Sequence, residues 1–130
     1  MARRHLVLPD LATDQAPYAH VVVEGDLAHV AGFIAQDDPA WAGRRGTIEE
    51  ETAAALDLMA RALSAVGFSL QDVVRVGVFM IDLGEFERMN AVYRRYFAEG
   101  QRPARTCVGV ASLLDGARIE IDCIARRRAL

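Results

Sequence analysis

Residues 73–81 read VVRVGVFMI. The run is too apolar and too rich in β-branched residues for a surface helix, and too short for a buried one. It reads as a buried central strand. Working outward toward the N-terminus, Ile48, Thr52, Ala55, Leu56, Met59, Leu63 and Val66 recur at helical spacing. Thr47 with Glu50 three positions on forms a capping-box signature. Glu49, Glu50 and Glu51 fill the first turn, where the helix dipole favours acids, and Gly67 ends the helix. On the C-terminal side, Asp82 caps a second helix near 85–98. Its stripe of Phe86, Met89, Tyr93, Tyr96 and Phe97 reads as core.

Further out, the segment HVVVEGDLAHVAGFIA (20–35) holds two apolar runs flanking Glu24-Gly25-Asp26. That predicts a hairpin, with strands near 19–24 and 27–34. Residues 36–47 carry Asp37, Asp38, Pro39, Gly43 and Gly46 and read as a loop, with Trp41 either a lid or, as is more common, a cap on the core. Residues 1–18 read as irregular, with Pro9 and Pro17 as breakers. At the other end, strands near 105–111 and 117–125 are joined by Asp115-Gly116. The order β-β-α-β-α-β-β predicts an α+β subunit, a mixed sheet with both helices on one face. The other face needs a cover that the chain cannot supply, so a partner subunit is expected there.

The chain has 130 residues, enough for one domain spanning 1–130. With 52% hydrophobic and 25% charged residues, a core of normal size is possible without metals or disulfides. A net charge of -3 does not advertise nucleic-acid binding. All 15 basic residues are Arg, which removes a Schiff-base lysine from the possible mechanisms. Cys107 and Cys123 make no disulfide framework. His5, His20 and His29 lack metal-ligand spacing, so no metal is expected. Arg3 and Arg4 are followed by no apolar leader core, and no run of about 18 apolar residues occurs. These features predict a cytoplasmic protein without a membrane span.

Strand parity sorts the residues that could do chemistry. In the strand at 105–111, Thr106, Val108 and Val110 share one face, and Arg105, Cys107 and Gly109 share the other. In the last strand, Ile119, Ile121 and Cys123 oppose Arg118, Glu120 and Asp122. If the apolar sets lie under the helices, Arg105, Cys107 and Glu120 project together from the uncovered face. A guanidinium in poorly solvated surroundings takes a partner. Either Glu120 pairs with it structurally, or Arg105 binds a ligand carboxylate and Glu120 orients or deprotonates a water. Cys107 reads as a small hydrophobe, since no His stands ready as its base. Tyr18 either folds over a pocket or packs. Asn90, a poor helix former, is expected to hydrogen-bond a backbone group.

Over nearly its full length the chain resembles the RidA/YjgF family of reactive-intermediate deaminases. The segments that carry the resemblance are APYAHVV (16–22), HVAGFIAQDDP (29–39), VGFSLQDVV (66–74), DLGEFERMNAVYRRYF (82–97), RPARTCVGVASL (102–113) and GARIEIDCIA (116–125). The resemblance implies a chorismate-mutase-like homotrimer with a central barrel, clefts between subunits and no metal or organic cofactor. It implies hydrolysis of carboxylate-bearing imines and enamines. Arg105 would bind the carboxylate, Glu120 and the backbone at Cys107 would place the water, and Tyr18 would close the pocket. The family's Ser-Gly-Gln is Ala31-Gly32-Phe33 here, which replaces polar groups by Ala31 and Phe33 in the implied pocket beside Asn90. Glu51, Leu58 and Leu114 also depart from the family's usual Gln, Asn and Pro.

Three functions follow as expectations. The first is hydrolytic deamination of 2-imino or enamine acids. The second is a non-catalytic trimer that binds a small carboxylate. The third, an RNA-directed activity, is opposed by the net charge, and Arg126-Arg127-Arg128 reads as a solvated tail.

Overall fold

A computed structural model describes residues 2–128. The central strand is β4 (Val73–Met80), and the sheet order is β1-β2-β3-β6-β4-β5. Here β1 is Arg4–Leu6, β2 Val21–Glu24, β3 Leu27–Phe33, β5 Ala104–Gly109 and β6 Ile119–Arg126. The pair β4–β5 is parallel and every other pair is antiparallel. Val76, Val78 and Met80 on β4 face Cys123, Ile121 and Ile119 on β6, and all of these are buried. They form the sheet's share of the core.

The helices α1 (Ile48–Ala65) and α2 (Phe86–Tyr93) both cover that face. At the start of α1, Thr47 Oγ1 accepts from the Glu50 amide at 3.1 Å. Glu50 Oε1 accepts from the Thr47 amide at 2.9 Å, completing the capping box. Gly67 ends the helix at φ +80°, a conformation open to glycine at little cost. Glu51, read from sequence as a dipole residue, does more. It is fully buried, and its carboxylate accepts the Gly46 and Arg118 amides, both at 2.9 Å. It thereby ties loop, helix and last strand together.

Four expectations about elements are corrected. Residues 4–6 form an edge strand on β2, held by His20 N donating to Leu6 O at 2.9 Å; the triplet is too short to show alternation. The second helix stops at Tyr93 rather than near 98. Its last turn tightens, with Arg95 and Tyr96 donating three residues back at 3.0 Å, while the Tyr96 hydroxyl donates to Asp57 on α1 at 2.8 Å. Asp82 caps a short 3-10 turn, Leu83–Glu85, that leads into this helix. Trp41 lies over Gly46 within its own loop, with the Arg44 guanidinium 4.7 Å from its ring.

The opposite face of the sheet is uncovered. Val22, His29, Ala31, Arg75, Val108 and Ile124 line a concavity there of about 540 Å³.

Candidate functional site

Arg105 sits on the edge strand β5, opposite Val76 in register, and so points to the helix side of the sheet. Its guanidinium carbon is 4.6 Å from the Tyr93 ring centre and 5.5 Å from that of Phe86. Nη1 is 3.9 Å from Met89 Sδ. Phe86, Met89 and Tyr93 are one helical stripe, and spacing places Asn90 on the same stripe. Among the described residues, Arg105 makes no ion pair. A guanidinium backed by aromatic rings can hold an anion through paired hydrogen bonds. The Tyr93 hydroxyl beside it is buried and has no hydrogen-bond partner among the described residues, and burial pushes this phenol up to about 12 against the opposing charge of Arg105.

Cys107 lies two residues on, on the same face, with Sγ 3.7 Å from Met80 Sδ. Burial raises its thiol, and Arg105 only partly opposes this. A raised thiol is not an activated nucleophile.

Glu120 projects from the uncovered face, opposite Phe79 in register. Its carboxylate lies directly over Gly32, where any Cβ would collide with it. Ala31 lines the concavity on the same open face. Tyr18, 44% exposed, has Asp37 and Glu120 within electrostatic reach, and burial raises its phenol first of all. Burial also raises the Glu120 carboxyl, with Asp122 adding to it. Asp37 completes this group and was missed from sequence, where it read only as loop. It is 6% exposed. Burial chiefly, with Glu120 and Asp115 adding, moves its carboxyl up to about 6, although Oδ2 accepts the Ile34 amide at 3.0 Å.

The candidate residues therefore fall into two sets. Arg105, Cys107 and Asn90 belong to the helix-side corner of β5 and α2. Glu120, Ala31 and Tyr18 belong to the opposite face and its end. The expectation that Arg105, Cys107 and Glu120 share one face is corrected: β5 puts Thr106 and Val108 on the open side, Thr106 accepting from Arg75 Nη2 at 2.8 Å. Phe33 is corrected too. A register shift between Val30 and Phe33 turns it into the core, 1% exposed and stacked at 5.8 Å on His20. It lines no pocket. The Asn90 side chain makes no hydrogen bond among the described residues, against the backbone bond expected of it.

Among the described residues, no group of three or more His, Cys, Asp or Glu could hold a metal ion, and no helix is long and apolar enough to cross a membrane. The C-terminal arginines are engaged. Arg126 pairs with Asp26 at 2.8 Å, Arg127 stacks on Phe68 at 4.4 Å, and Arg128 reaches Asp72 at 3.7 Å.

Residues 11–127 match the family described as Endoribonuclease L-PSP. A RutC family protein of Pyrococcus horikoshii is 37% identical, covering 84% of this chain and 86% of its own. A human protein named 2-iminobutanoate/2-iminopropanoate deaminase is 33% identical, covering 84% and 79%. Among solved structures, a candidate endoribonuclease of Thermotoga maritima superposes with a TM-score of 0.88 at 40% identity, covering 99% and 100%. Yeast Mmf1 gives 0.85 at 27%, covering 98% and 100%.

Proposed function

The chain belongs to the Endoribonuclease L-PSP (YjgF/RidA) family, and from that premise we propose that it hydrolyses 2-imino and enamine acids to 2-oxo acids and ammonia, as a homotrimer. The observation that carries the proposal is the Arg105 guanidinium, backed by Tyr93 and Phe86 and paired with no carboxylate. Such a group binds a carboxylate through two parallel hydrogen bonds.

Arg105 and Glu120 lie on opposite faces of one sheet. One subunit cannot bring both to one ligand, so the cleft is composite. The Arg105 corner of one subunit meets the Glu120, Ala31 and Tyr18 face of its neighbour. The open, largely apolar sheet face with Val22, Ala31, Val108 and Ile124 supports this, because such a surface is normally covered.

In the reaction, Arg105 holds the carboxylate of a protonated imine, whose carbon is already electrophilic. Glu120 accepts a proton from a water as its oxygen bonds to that carbon, and the C=N π pair returns to nitrogen. Glu120 then returns the proton to the amine. Cleavage of the C–N bond releases ammonia, and the oxygen, on losing its own proton, becomes the new carbonyl. Tyr18 closes the cleft. Positioning of this kind supplies at best about 7–11 kcal/mol. A raised Glu120 carboxyl is the better base for it.

The test couples the protein to an amino-acid oxidase and follows imine decay. The wild type should accelerate it, and Arg105→Ala should lower kcat/KM by about 100-fold or more, chiefly through KM. No acceleration with any of several amino-acid precursors, from an intact oligomer, sinks the reading. It would favour the non-catalytic carboxylate-binding trimer, which the missing hydroxyl at Ala31 supports.

A further inference from the structure

Two further charges stand on the open face of the sheet, and the reaction above uses neither. Arg75 lies on β4 and Asp122 on β6, and both line the concavity. They are near neighbours, since Gly77, two residues from Arg75, is the register partner of Asp122. They do not pair. Asp122 lies along β4, where Oδ1 accepts the Gly77 amide at 3.1 Å and a Cβ at Gly77 would collide with it. Arg75 reaches the other way, toward β5, and donates from Nη2 to Thr106 Oγ1 at 2.8 Å. Among the described residues neither makes an ion pair. A single chain tolerates this, because Arg75 and Thr106 are exposed and Asp122 is only half-buried. Burial nevertheless raises the Asp122 carboxyl, with the Gly77 amide and the charge of Arg75 opposing it. Covered by a second copy, both charges would lose water with nothing in return unless they found partners.

The composite cleft brings those partners together. In it, the β5 corner of one subunit meets the Glu120 face of its neighbour. Thr106, which holds Arg75, follows Arg105 on β5 and lies on the open side. Asp122 follows Glu120 by two residues on the same side of β6, roughly 7 Å along the strand. The docking that carries Arg105 to the neighbour's Glu120 therefore carries Arg75 toward the neighbour's Asp122. We propose that Arg75 of each subunit pairs with Asp122 of the next, and that three such pairs fix the register in which Arg105 meets Glu120 across the cleft. The pairing rests on the trimer and composite cleft proposed above and supplies what holds their geometry. Arg75 and Asp122 are positioning residues, and neither touches the substrate. Each copy offers one cation and one anion, so a closed ring of three leaves no charge over. An interface made of Val22, Val108 and Ile124 alone could slide at little cost. A desolvated pair resists sliding, because any slip leaves both charges unpaired.

The test uses the full chain. Light scattering should give the wild type a mass of three times 14.2 kDa. Arg75→Asp and Asp122→Arg each set like charges against one another at every contact. Each should give a chain that is folded by circular dichroism yet stays below the trimer mass at micromolar concentration. Mixed in equal amounts, the two should return to the trimer mass, since two of the three contacts in a mixed ring are then opposite in sign. The double variant Arg75→Asp/Asp122→Arg should do so alone. A pair made within one chain predicts otherwise: each single variant carries its own clash, and mixing relieves nothing. No recovery on mixing overturns the proposal. Where a reversed charge unfolds the chain, Arg75→Gln and Asp122→Asn replace it. Each should raise the concentration at which half the trimer dissociates by about tenfold or more, and the two together hardly more than either. Additive effects overturn the pair. At concentrations that keep these neutral variants trimeric, kcat for the imine should fall about tenfold with KM nearly unchanged, because Arg105 still holds the carboxylate while Glu120 is displaced. An unchanged kcat overturns the positioning role. A monomeric wild type sinks the assembly proposed above and the pair with it. A trimeric wild type without turnover sinks only the reaction, and single variants that assemble as the wild type does sink the pair alone.

Discussion

At the residue scale, Asp37 carries a charge that the fold resists. Its carboxyl is raised from 3.8 to about 6 by burial first, then by Glu120 and Asp115. The folded state therefore holds the proton more tightly than the unfolded chain does. Stability contributed by this group is present below the unfolded value and is lost as pH rises through about 4 to 6, at a cost of about 1–3 kcal/mol at pH 7. Asp37→Asn keeps an oxygen to accept the Ile34 amide but has nothing to ionise. Urea unfolding between pH 4 and 7 should show that decline shrink in the variant and its stability at pH 7 exceed the wild type. An unchanged slope would locate the titration elsewhere. Neither Asp37 nor Glu51 was legible as a buried carboxylate in the sequence. Asp37 lay in a polar loop and Glu51 in an acidic helix start, and both settings usually expose their acids. What buries them is long-range: Glu51 accepts an amide from Arg118, in the last third of the chain.

At the element scale, strand parity read β6 correctly and β5 wrongly. In β6 the alternation is unambiguous, Ile119, Ile121 and Cys123 against Glu120 and Asp122, because both faces of a central strand are decided by its neighbours. In the edge strand β5, Thr106 and Val108 look as apolar as Arg105 and Cys107 do. The stem of Arg105 can bury while its head lies against Tyr93 and Phe86. Register with Val76 decides the matter, and register is not written locally. In β3, the shift after Val30 moved Phe33 into the core for the same kind of reason. That strand also yields a prediction. Gly32 exists where the Glu120 carboxylate crosses the backbone. Gly32→Ala pushes a flexible side chain aside, which costs the fold about 1 kcal/mol or less but displaces the base. Turnover of the imine should fall about 100-fold with a nearly unchanged urea midpoint. A variant that keeps wild-type kcat/KM would show that the position of Glu120 is immaterial.

At the scale of the whole molecule, an uncovered sheet face in a 130-residue chain was legible from the count of elements alone. That the candidate residues would divide between its two sides was not. The division makes the proposed assembly testable in a way a single-subunit site would not be. In a composite cleft, each Arg105 works with the Glu120 of a neighbour. Arg105→Ala and Glu120→Gln trimers should each be nearly inactive in imine hydrolysis. Mixed in equal amounts, dissociated and allowed to reassociate, they should regain about one quarter of wild-type activity, the chance that a cleft draws an intact residue from both contributors. The reassembled particle should weigh three times 14.2 kDa by light scattering. If both residues served the same cleft from one subunit, every subunit in the mixture would carry a lesion and nothing would return. Activity restored on mixing, and only after subunit exchange, would join the unpaired Arg105 of one chain to the Glu120 of the next.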